Sequence, residues 1–155
     1  MRTPVALATA SILMSTAAYA QASPDAPKRM AGLWEMTTIM GEKGGTVHNF
    51  QMCIDAEHDD ILLQPGEPVP HCTRSTWRRD GHYLHFDAEC TIDGADASLQ
   101  GVFSGDFAYN FQGEVRTGYA SPRNGPKSST MHMEGRRLAS CRSGQTPGEF
   151  MKPVR

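Results

Sequence analysis

Between residues 83 and 115, large side chains recur two positions apart: Leu84, Phe86, Ala88 and Cys90, then Leu99, Gly101 and Phe103, then Phe107, Tyr109 and Phe111. That period predicts three strands, each with one buried face. Asp93-Gly94 and Gly105-Asp106 connect them, and such short turns make the strands antiparallel. Upstream, residues 32–40 read as a strand with Trp34, Met36, Thr38 and Met40 on one face. A glycine-rich loop over residues 41–45 leads into a return strand over residues 46–54, where Phe50 and Met52 share a face.

The pattern changes at Asp55. Asp55 suits a helix N-cap, Glu57, Asp59 and Asp60 suit the positive end of a helix dipole, and Ile61, Leu62 and Leu63 supply an apolar patch before Pro65. A short helix is expected there, followed by an extended proline run to Cys72. Residues 73–78 predict a third strand with Trp77 sharing a face with Thr73 and Ser75, and Asp80-Gly81 turns it into the central meander. The last strand is expected over residues 128–134, before Gly135-Arg136-Arg137-Leu138. The expected fold is therefore all-β, an antiparallel up-and-down meander of about seven to eight strands that forms a strongly curved sheet or barrel.

The amino terminus adds a location. Met1-Arg2, an apolar run through Val5, Leu7, Ile12, Leu13 and Met14, and Ala18-Tyr19-Ala20 together predict a secretory signal peptide over residues 1–20. Residues 21–29 are then expected as a flexible leader, residues 30–141 as one β domain, and residues 142–155 as a flexible tail. No second hydrophobic segment follows, so the mature chain is expected in the periplasm or secreted, with no membrane span.

In an oxidising compartment Cys53, Cys72, Cys90 and Cys141 are expected to form two disulfides. Three pairings are open. Cys53 with Cys72 and Cys90 with Cys141 is preferred, because the first pair would staple the irregular proline excursion to the sheet. No Cys-x-x-Cys is present to suggest zinc. With 15 Lys and Arg against 17 Asp and Glu, the chain lacks the basic excess of a nucleic-acid binder. Arg74, Arg78 and Arg79 read instead as charged guards on a strand edge.

Gly32-Leu33-Trp34-Glu35, the cysteine after the second strand, the acidic segment and proline loop to the next cysteine, and Gly135-Arg136-Arg137-Leu138 before the last cysteine resemble the bacterial domain of unknown function 3617. The likeness runs from about Met30 to Cys141 and implies a small exported envelope protein, without an activity. Gly32 and Trp34, with Arg136 or Arg137 near the end of the last strand, are also similar to lipocalin-type barrels. That likeness implies an arginine stacked on the indole and a ligand cavity inside a barrel.

Trp34, Met36, Phe86, Phe103, Tyr109 and Phe111, with Arg136, are accordingly the candidate lining for a small apolar or amphipathic ligand. A second candidate is copper on Met131, His132 and Met133, since thioether and imidazole donors suit that metal. Strand alternation opposes it by directing His132 away from the two methionines. His48, His71, His82 and His85 read as surface histidines, and Asp87 with Glu89 as the polar side of a strand. No nucleophile elbow, phosphate loop or His-Glu-x-x-His occurs, so neither an enzyme nor a cofactor is expected. The remaining reading is a structural or interaction module with a filled core.

Overall fold

The computed structural model describes residues 26–41, 45–121 and 125–152; the signal-peptide expectation lies outside them. Eight strands follow in chain order: β1 (Gly32–Met40), β2 (Thr46–Ile54), β3 (His71–Asp80), β4 (Tyr83–Ile92), β5 (Ala95–Gly105), β6 (Asn110–Tyr119), β7 (Ser128–Ala139) and β8 (Phe150–Met151). They form one antiparallel sheet in the order β3-β4-β5-β6-β7-β1-β2-β8.

The alternation read from the sequence is the one that builds this sheet. In β4 Leu84, Phe86, Ala88 and Cys90 are buried, and in β5 Ala97, Leu99, Gly101 and Phe103 are buried, with exposed or half-buried residues between them. Both strands thus present one face to the core and one to water. The core draws on strands β1 to β7, and also on Ile61 of the β2–β3 connection.

The sheet neither closes nor curls strongly into the expected barrel. Its edges are β3 and β8, and the order of pairing leaves them apart. The physical reason lies in strand direction. Each of β3 to β7 reverses its neighbour and β7 reverses β1, so β2 and β3 run the same way. The segment over residues 55–70 therefore crosses the length of the sheet before β3 begins. Charges protect the β3 edge, where nine of ten residues are exposed and Arg74, Arg78 and Arg79 project. The β2 edge is covered where Gln51 and Met52 pair with Met151 and Phe150. Phe150 packs edge-on against Phe50 at 5.2 Å, so part of the expected flexible tail is an eighth strand.

Among the described residues there is no helix, including the one expected after Asp55. Its acidic residues are engaged in other hydrogen bonds. Asp55 Oδ1 accepts from the backbone N–H groups of Glu57 and His58, Asp60 Oδ1 accepts from Leu62 N–H, and Asp59 binds Arg29. Side-chain bonds of this kind offer the backbone an alternative to helical pairing.

The disulfides are Cys53–Cys141 and Cys72–Cys90, a correction to the preferred pairing. Strand direction explains it. Cys72 opens β3 directly opposite Cys90 near the end of β4, while Leu33 pairs with Cys53 on one side and with Ala139 on the other. The crossing segment carries Cys72 to the far end of the sheet from Cys53, and leaves Cys53 beside the end of β7.

Candidate functional site

The middle of the core face is filled. Trp34 and Phe103 have no exposed surface, and Met36, Phe86 and Phe111 are nearly as buried. Glycines make room for the rings: a Cβ on Gly113 would collide with Phe103, and one on Gly135 with Phe111. Trp77 lies 4.6 Å from Phe86 and 5.5 Å from Phe103, centroid to centroid. These residues are core, and the expected ligand lining is corrected accordingly. Tyr109 departs further, being 59% exposed. Residues 106–109 form a turn rather than strand, in which Asp106 Oδ1 accepts the N–H groups of Ala108, Tyr109 and Asn110. Those bonds, Tyr109 N–H foremost, hold the Asp106 carboxyl below the usual carboxylate range. The turn breaks the alternation, so Phe107 and Phe111 stack at 5.7 Å while Tyr109 points outward.

Arg136 is exposed and donates from Nη2 to Glu35 Oε2 at 2.8 Å. Arg137 donates from Nε to the Ala31 carbonyl at 3.0 Å, where Gly32, with a φ of +147°, leaves space for it. The cation over the indole is Arg29, from the segment expected as a flexible leader. Its guanidinium carbon lies 5.9 Å from the Trp34 centroid and 5.6 Å from that of Phe111. Arg29 Nε donates to Asp59 Oδ1 at 2.7 Å, its backbone N–H donates to Asp59 Oδ2 at 2.7 Å, and Nη2 donates to the Asp60 carbonyl at 3.2 Å. Burial pushes the guanidinium below its usual value, and Asp59 and Asp60 push it back up. The Trp34 indole N–H donates to the Met30 carbonyl at 2.9 Å.

Open space lies at the end of the sheet where β4 turns into β5. Here the inward residues shrink from rings to Leu99 and Val115, and an apolar-lined pocket of about 390 Å³ remains. Its floor includes Leu99, Val115 and Met131, and its walls include Ile92, Tyr119 and Leu62. The crossing segment roofs it with Gln64, Glu67, Pro68 and Pro70. A hydrogen bond from Glu67 N–H to the Gln64 carbonyl at 3.4 Å ties these two roof residues together. Asp93, at the β4–β5 turn with a φ of 49°, stands at the mouth with Glu67, and both are exposed.

Of the residues singled out for copper, Met131 lines this pocket, Met133 is buried in the core, and His132 lies on the opposite face, 3.4 Å from Glu114 Oε2. The strand separates the imidazole from the two thioethers. Among the described residues, no three His, Cys, Asp or Glu side chains are placed to hold a metal, and no helix is long and apolar enough to cross a membrane. Alternation could not reveal Arg29, Gln64 or Glu67, since each acts from irregular chain. The one available signal was polar residues inside a proline-rich connection flanked by cysteines.

Fold and pocket together define an all-β chain with one open sheet, two disulfides and a recess at one end. It belongs to the family described as Protein of unknown function (DUF3617), whose family model matches residues 29–141. That span opens at the buried arginine and closes at the cysteine bonded to Cys53. No curated protein and no solved structure matches the chain.

Proposed function

We propose that this chain is an exported, non-enzymatic binding protein that takes a small apolar or amphipathic molecule in the pocket over Leu99, Val115 and Met131. The carrying observation is the pocket itself: about 390 Å³ with a mainly apolar lining, inside the range of ordinary ligand sites. Export draws support from the signal-peptide pattern of residues 1–20 and from the pairing of all four cysteines, which suits an oxidising compartment. Copper is not carried forward, because Met131 and His132 face opposite sides of β7.

Native mass spectrometry tests the reading on full-length chain purified from the cell envelope, beside a Leu99→Trp variant that fills the pocket. The expected result is an organic mass that leaves on denaturation and is missing from the variant. A bare polypeptide that also fails to bind the apolar dye Nile red would remove the reading.

A further inference from the structure

Among the described residues β3 pairs with β4 on one side and with no strand on the other. It runs ten residues without a proline, and the Cys72–Cys90 bond fastens its beginning to β4, so this edge of the sheet is formed in advance of any partner. Such an edge offers backbone N–H and C=O groups to a further strand. Its two faces differ. On the core side, Cys72 and Trp77 border a recess of about 290 Å³, together with Phe86 of β4 and Ile61 and Leu62 of the crossing segment. The two acids beside it, Asp59 and Asp60, are already hydrogen-bonded to Arg29 and to the Leu62 N–H. On the water side, alternation from the buried Trp77 places Arg74, Thr76 and Arg78. Arg78 is ion-paired only with Asp80, at 3.6 Å between exposed side chains, and among the described residues Arg74 has no carboxylate partner.

We propose that the β3 edge takes an extended, acidic segment of another protein as an added strand, one in which small apolar side chains alternate with carboxylates. In strand addition, backbone pairing supplies the affinity and alternate side chains supply the selection. Successive side chains of the added strand point to opposite faces. The apolar ones enter the recess beside Trp77, Ile61 and Phe86, and the carboxylates between them come to lie by Arg74 and Arg78. Opposite charges across a strand pair stabilise it, and like charges oppose it. The arginines thus keep a second copy of β3 off the edge and admit an acidic strand, so one set of charges serves both protection and choice of partner. No ligand over Leu99, Val115 and Met131 is needed for such pairing.

Fluorescence anisotropy tests the pairing on chain purified from the cell envelope, with three labelled peptides at neutral pH and low salt. They are Glu-Val-Glu-Val-Glu-Val-Glu, the same peptide with Lys for every Glu, and the acidic peptide with Pro for its central Val. The acidic peptide is expected to bind about tenfold more tightly than either control, and to weaken as salt rises. Arg74→Glu/Arg78→Glu, whose folding a thermal melt establishes, is expected to lose about tenfold for the acidic peptide and to favour the lysine peptide instead. Amide hydrogen exchange is expected to slow within His71–Asp80 when the acidic peptide is bound. Equal binding of the acidic and lysine peptides would overturn the charge selection, and binding undiminished by proline would overturn strand pairing. No binding of the acidic peptide by the parent would overturn both. A parent that sediments as a dimer, with His71–Asp80 already protected from exchange, would give the edge to a second copy of the chain.

Discussion

Arg29 and Asp59 form a fully enclosed ion pair, Nε to Oδ1 at 2.7 Å, with each side chain 1% exposed. The pair joins the segment before β1 to the crossing segment, and Arg29 also reaches the Met36 sulfur at 3.6 Å beneath the Trp34 and Phe111 rings. It thereby anchors the segment that roofs the pocket. Removing one partner strands a charge in the core. Asp59→Leu is therefore expected to cost about 3–5 kcal/mol in urea denaturation, and Arg29→Met/Asp59→Leu to recover most of that loss. A double variant as unstable as the single one would show that packing, rather than charge, is what the pair supplies.

The two disulfides close loops of different length. Cys53 and Cys141 are 88 residues apart, and Cys72 and Cys90 are 18 apart. By chain entropy, losing the first costs about 4.5 kcal/mol and losing the second about 3 kcal/mol. Cys53→Ala/Cys141→Ala is thus expected to have the lower urea midpoint. Peptide mapping without reductant checks the pairing itself, and a fragment joining Cys53 to Cys72 would contradict it.

Acid should act on the turn at Asp106. Its backbone hydrogen bonds place its folded pKa below the unfolded value, so the stability it adds is present above the ordinary carboxylate range and is lost as pH falls through the folded value. Asp106→Ala is expected to be less stable than the parent at neutral pH. The gap should narrow as pH falls from about 4, the ordinary carboxylate value, through the lowered folded value. Denaturant midpoints for both proteins across that range measure it, and a gap independent of pH would assign the effect to the turn backbone instead.

Local pattern determined where most strands run and which residues face inward. The period of two at Leu84, Phe86 and Ala88 is a property of extended chain with one wet face, and it needs no partner strand to be read. An even number of cysteines likewise pointed to the two disulfides that form. The partners of those cysteines were not legible, because pairing depends on strand direction, and residues 55–70 reverse the expected direction of everything after them by crossing the sheet. Only the tertiary structure decided that aromatic rings over Gly113 and Gly135 fill the centre, that the pocket sits where Leu99 and Val115 replace them, and that Arg29 covers Trp34. Gln64 became a candidate site residue only when the crossing segment buried it against strands distant in sequence. Alternation records which face of a strand meets water; it carries no information on which irregular segment will lie across the other face.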